Sequence, residues 1–153
     1  MKRQSAKFHP FLHAAANLEK HLEVLFADSN IRHRQALVLD ALRAIGTSSQ
    51  QYLAKHFGVS AGTMSSMISR LEALGYVQRG SDPSDRRIEM ISNTPVGLAA
   101  LEEVEKYWSD GDEIVERILG SKDTETFFAL ADKLSKGLGG GPPKPEKAAN
   151  IRD

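Results

Sequence analysis

The sequence contains no cysteine. That rules out disulfides, thiolate metal sites and cysteine-based redox switching, and it fits a reducing compartment. Neither sign of charge is in surplus: 20 Lys and Arg balance 20 Asp and Glu, for a formal net charge of +0. That argues against DNA binding by bulk electrostatics, and any nucleic-acid affinity must come from placement. No stretch approaches the roughly 20 consecutive apolar residues of a membrane span. Met1-Lys2-Arg3-Gln4-Ser5 leads into no long apolar run, so no secretory signal is expected. The expected setting is soluble and cytoplasmic, with no membrane partner. No nucleophile–base pair, phosphate loop or metal cluster appears, so no enzyme, cofactor or metal is implied. Aromatics are sparse at 7%, which leaves Leu, Ile, Val and Ala to do most of the packing.

What is present is organised. A chain of 153 residues suits one domain with an added subunit-contact layer. Acidity concentrates late, at Glu102, Glu103, Glu105, Asp110, Asp112, Glu113 and Glu116, whereas Lys2, Arg3, Lys7, Arg32, Arg34 and Arg43 make the beginning basic. Helical spacing of Phe11, Ala15, Leu18, Leu22 and Leu25 predicts a helix from Pro10 to about Phe26. A second helix is expected from about Ile31 to Ile45, stopped by Gly46. Ser48-Ser49-Gln50-Gln51 reads as a capping box with Ser48 as the cap, opening a short third helix. Gly58 suits a left-handed turn, and Ser60 caps a fourth helix that runs to about Leu74.

On that fourth helix Met64, Met67, Ile68, Leu71 and Leu74 form one side. Gly62, Ser66, Ser69 and Ala73 lie opposite, flanked by Thr63, Ser65 and Arg70. A stripe of small residues after a glycine corner suits a face that approaches another body closely. Two short strands follow, Val77 to Arg79 and Arg87 to Ser92, joined by Asp82-Pro83-Ser84-Asp85-Arg86-Arg87. Thr94 and Pro95 start a long helix of near-heptad pattern that ends at Gly120. A sixth helix runs from Ser121 to about Leu138, and the Gly/Pro/Lys-rich remainder reads as a disordered tail. A turn with two adjacent arginines, beside a helix able to enter a major groove, points to double-stranded DNA.

This order resembles the MarR family of bacterial winged helix-turn-helix transcriptional regulators. The matching residues are Leu53-Ala54, Val59-Ser60, Arg70-Leu71-Glu72, Leu74-Gly75-Tyr76-Val77, Arg79, Asp82-Pro83, Asp85-Arg86-Arg87, Thr94 and Gly97, over about 50 residues. Asn93 departs from it, since Leu usually precedes the Thr. So does Arg32, where a Thr or Ser cap is usual and Ser29 or Asn30 is expected to cap instead.

The resemblance implies a mainly α (α+β) fold: six helices, a two-stranded β-wing and a helical dimerisation layer. The DNA-binding lobe would span 31–92, the layer 8–30 and 93–138, and the tail 139–153. Gly62, Thr63, Ser65, Ser66, Ser69 and Arg70 would face the major groove, where hydroxyls suit phosphate and permissive base contacts. Arg87, steadied by Asp85, would enter the minor groove, with Arg86 on a phosphate. Gln50, Gln51 and Lys55 are further phosphate candidates. A homodimer would set two recognition helices about 34 Å apart on a pseudo-palindromic operator. The implied function is a ligand-responsive repressor. The alternative is a winged-helix protein-interaction module that has lost DNA binding, kept open by the near-neutral charge and the Ser-rich face of the fourth helix. A small-molecule effector would meet His13, Asn17, Arg34 and Trp108. His13, Asn17 and His21 share a flank of the first helix but lack the carboxylate or thiolate partner a metal site needs.

Overall fold

The computed structural model describes residues 6–146; Lys2, Arg3 and the tail beyond 146 lie outside them. Its elements are α1 (His9–Leu25), α2 (His33–Ile45), β1 (Thr47–Ser49), α3 (Gln50–His56), α4 (Ala61–Ala73), β2 (Val77–Ser81), β3 (Glu89–Asn93), α5 (Pro95–Leu119) and α6 (Ser121–Gly137). Six helices and a small sheet reproduce the expected architecture. The sheet has three antiparallel strands in the order β1-β3-β2, one more than the hairpin alone. Ile91 of the central strand faces Ser48 on one side and Arg79 on the other, and its side chain is fully buried.

One core holds the lobe together. Leu39 and Leu42 of α2, Leu53 of α3, Met64, Ile68 and Leu71 of α4, Ile91 of β3 and Leu101 of α5 are all essentially inaccessible. The turn between α3 and α4 depends on Gly58 at φ 62°, a left-handed conformation that costs other residues a Cβ clash. Val59 N–H then returns to Ala54 O at 3.0 Å. By contrast, α1 buries no residue of its own.

Several local expectations shift. Ser49, not Ser48, caps α3, its hydroxyl accepting from Tyr52 N–H at 3.1 Å. Pairing of β1 with β3 turns Ser48 inward, fully buried. At α2 the flanking residue is Arg32, and Gln35 Oε1 accepts its N–H at 3.0 Å, while Ser29 accepts from Ile31 N–H. Neither Ser29 nor Asn30 is the cap.

Asn93 donates from Nδ2 to Leu39 O at 2.9 Å, tying β3 to α2. Its Oδ1 is buried with no hydrogen-bond partner among the described residues. An orphaned acceptor of this kind costs about 1–3 kcal/mol, against a net gain of about 0.5–1.5 for the bond that is made. Asn93→Leu is therefore expected to raise stability by about 1 kcal/mol, read as a higher urea midpoint at unchanged slope. A midpoint lowered by as much would mean that the Oδ1 is satisfied.

Candidate nucleic-acid interface

The candidate surface starts at the entry to α4. Ser60 Oγ accepts from Thr63 N–H at 3.1 Å and donates to Thr63 Oγ1 at 2.9 Å, which fixes the first turn. With Met64, Ile68 and Leu71 buried, helical geometry turns the remaining positions outward. Gly62, Thr63, Ser66, Ser69 and Arg70 are exposed and Ser65 is half-buried. Small side chains along this stripe let the helix backbone come close to a flat or grooved partner.

Two arginines near this face have different fates. Arg79 is held by three elements: its Nε donates to Glu72 of α4 at 3.0 Å, and its Nη1 donates to Glu89 of β3 at 2.5 Å and to Gln50 of α3 at 3.4 Å. The Glu72 hydrogen bond, foremost among these contacts, raises its already high pKa. Its charge is compensated, and it staples the wing to α4 and α3. Arg70 makes no ion pair with another described residue, and Glu72, two positions on, points to Arg79 instead. Arg70 is left facing solvent with an uncompensated charge.

The wing tip is built by carboxylates. Asp82 Oδ1 accepts from Ser84 N–H at 2.7 Å, from the Ser84 hydroxyl and from Asp85 N–H at 3.1 Å. This turn mimics a backbone turn with a side chain, and the Ser84 hydroxyl holds the Asp82 carboxyl below its usual range. Asp85 accepts from Arg87 three times: from its N–H at 3.0 Å and Nε at 3.2 Å through Oδ1, and from Nη2 at 3.3 Å through Oδ2. The Arg87 guanidinium in turn holds the Asp85 carboxyl low. Arg87 remains 91% exposed, so it is aimed but not covered. A guanidinium carries five N–H donors, and those not taken by Asp85 are open to solvent. Arg86 is exposed as well.

A second feature lies between the lobe and the outer helices. A cavity of about 230 Å³ is lined by Leu18 and Leu22 of α1, His33, Leu37 and Asp40 of α2, Trp108, Gly111, Asp112 and Val115 of α5, and Phe128 of α6. Trp108 Nε1–H donates to His33 Nδ1 at 3.1 Å. Burial lowers the His33 pKa, which favours the neutral ring that this bond requires. Of the sequence candidates Trp108 lines the cavity, but His13, Asn17 and Arg34 do not. His13 and Asn17 lie on the exposed side of α1, and Arg34 pairs with Glu19 at 2.9 Å. The residues missed were His33, Leu37 and Asp40, whose i, i+4, i+7 spacing marks one face of α2 and was the available signal.

Residues 29–88 match the sequence model of the MarR family. Among curated relatives, YcgE of Bacillus subtilis, an HTH-type transcriptional regulator, is 28% identical over 96 residues, which cover 63% of this chain and 62% of YcgE. NicR of Pseudomonas putida, an HTH-type transcriptional repressor, is 37% identical over 75 residues, 49% of this chain and 48% of NicR. The matches thus span about half to three-fifths of those relatives' lengths. Among solved structures, BpsR of Bordetella bronchiseptica, whose DNA binding is regulated by 6-hydroxynicotinic acid, superposes with a TM-score of 0.76 at 24% identity, covering 88% of this chain and 96% of BpsR. The matched segment contains α3, α4 and the wing turn, which carry the motif residues up to Arg87, and the fold agrees over 88% of the chain. Over residues 29–88 the chain is thus similar to the MarR family, and its fold is that of the solved structure above.

Proposed function

We propose that the protein is a homodimeric, sequence-specific DNA-binding transcriptional regulator, a repressor whose grip on a pseudo-palindromic operator is altered by a small molecule. The observation that carries this reading is the pairing of a small-residue face on α4 with a wing arginine aimed by Asp85. The α4 stripe from Gly62 to Arg70 enters the major groove, Arg87 reaches the minor groove and Arg86 meets a phosphate. Arg70 and Arg86, without an ion pair among the described residues, and Arg87, exposed beside its one carboxylate Asp85, offset the neutral net charge, so the DNA-binding reading outweighs a pure protein-interaction module. NicR, named as a repressor, supports the sign of regulation. The test is a fluorescence-anisotropy titration against a labelled duplex from upstream of the gene, at several salt concentrations. Affinity should fall steeply as salt rises through counterion release; affinity that ignores salt contradicts the proposal.

The lobe (31–92) is carried on helices (8–30 and 93–138) that leave apolar side chains in water. Leu130, Leu134 and Leu138 of α6 and its end are 58%, 49% and 80% exposed, and Phe8, Leu12 and Ile118 are equally open. Fully burying each such side chain contributes about 1.5–3 kcal/mol, and a second copy supplies the cover. The chain should therefore run at twice its own mass in light scattering. Leu134→Glu places a charge in that seam and is expected to weaken dimerisation a hundredfold or more, about 3 kcal/mol. An unchanged dimer would put Leu134 outside the contact.

The cavity beside Trp108 is assigned to the effector. At about 230 Å³ it suits a molecule of one ring. The BpsR ligand, 6-hydroxynicotinic acid, is a first probe of that size. Quenching of the single tryptophan on titration reports entry, and no change with any single-ring acid or amine removes the assignment.

A further inference from the structure

The chain beyond α6 does not run free. It turns at Gly139 and Gly141, both at positive φ, and Pro142, Pro143 and Pro145 keep the next residues extended. It then returns to the start of the helix-turn-helix. The Glu146 carboxylate accepts from Ser49 N–H at 2.6 Å, from Ser49 Oγ–H at 2.8 Å and from Ser48 Oγ–H at 3.2 Å. Lys144 N–H donates to Tyr52 Oη at 2.8 Å. Ser49 uses its hydroxyl twice, accepting from Tyr52 N–H to cap α3 and donating to Glu146. Cap and tail are thus one hydrogen-bonded chain. Hydrogen bonds to a charged carboxylate are the stronger kind, worth roughly twice a neutral one.

We propose that residues 139–146 form an autoinhibitory clasp, in which Glu146 docked on Ser48 and Ser49 holds a negative charge beside α3 and competes with DNA. This rests on the DNA-binding reading above. The first helix of a helix-turn-helix crosses the DNA backbone. A carboxylate fixed there would repel any backbone phosphate that came within roughly 8 Å at physiological salt. The clasp also ties the end of α6 to the lobe, so the lobe has to release the tail as it settles on a duplex.

Two full-length variants separate docking from charge. Tyr52→Phe removes the Lys144 bond without changing any charge, whereas Glu146→Gln removes the charge and weakens the three bonds. Amide hydrogen exchange is read on peptides covering Ser48 to Tyr52, and affinity on a short mixed-sequence fluorescent duplex at low salt. Both variants are expected to speed exchange of the backbone amides at positions 49 and 52. Duplex affinity should rise about threefold for Tyr52→Phe, in line with the loss of one hydrogen bond, and further for Glu146→Gln. Unchanged exchange in both variants overturns the clasp. Faster exchange with equal or weaker affinity overturns autoinhibition. If the wild-type protein shows no salt-dependent duplex binding, the DNA reading fails and autoinhibition with it, while the exchange result alone still decides whether the tail docks.

Discussion

Gly97→Ala is expected to destabilise the protein by about 3–5 kcal/mol, the range of severe core disruptions. A Cβ at Gly97 would lie 2.0 Å from Tyr76 O, 2.8 Å from Tyr76 C and 3.0 Å from its Cα. All three are backbone atoms, so no flexible side chain can move aside. The same carbonyl accepts from Thr94 N–H at 3.0 Å. Thr94 donates its hydroxyl to Gly75 O and accepts from Gly97 N–H at 3.1 Å. The first turn of α5, the root of the wing and the end of α4 therefore meet at one point, with Gly97 buried between them. Moving any of them breaks hydrogen bonds in the others. Native domains have only about 5–15 kcal/mol to lose, so the variant should unfold at much lower urea or be recovered mostly insoluble. Gly80→Ala is the control: a Cβ there meets nothing within 4 Å, and its effect should stay within about 0.5 kcal/mol. Wild-type stability in Gly97→Ala would mean that α5 does not approach Tyr76 in this way.

That junction explains why so much of the lobe was readable in advance. Leu74-Gly75-Tyr76, Thr94 and Gly97 are far apart in sequence but serve one close contact, so their residue types leave little latitude. The Ser60 and Thr94 caps and the Asp82 turn were legible for another reason: each is local chemistry completed within three residues. The role of Asp85 was what the family resemblance implied, and its hydrogen bonds to Arg87 agree with it. What stayed hidden was non-local. Strand β1 is three polar residues, Thr47-Ser48-Ser49, and only its partner β3 makes it a strand. That pairing also decided which of two adjacent serines caps α3. The anchoring of Arg79 by the Glu89 carboxylate and the Gln50 amide joins three elements, and no spacing within one of them encodes it. At the cavity, spacing along α1 and α2 was readable but the rotation of each helix about its axis was not. His13, Asn17 and Arg34 therefore turned out of the cavity, and His33 turned in. The segment 139–146 carries a composition typical of disorder, yet one carboxylate and three donors hold it.

The larger functional effect is expected at Arg87. Its guanidinium is 91% exposed, touches no core residue and is aimed by Asp85. Removing it should leave folding within about 0.5 kcal/mol of wild type. It should also cost about 1–3 kcal/mol of DNA affinity, or roughly tenfold to a hundredfold, as expected for an arginine read by a groove. Asp85→Ala should cost less, because it loses the aim of Arg87 but also removes a negative charge from the DNA face. Arg79→Ala should act differently: it frees Glu72 and Glu89 together and so loosens the wing before it affects contact with DNA.

The central claim, that α4 and the wing tip read DNA, is tested most directly by one anisotropy series. Wild type and Arg87→Ala are titrated against the same duplex from upstream of the gene, across a range of salt concentrations. The account predicts a steep salt dependence for the wild type. For the variant it predicts at least tenfold weaker binding at moderate salt, about 1.4 kcal/mol, and a salt slope shallower by about one for each phosphate that Arg87 no longer neutralises. Equal affinity and equal slope in the two proteins, with both dimeric and folded, would contradict it.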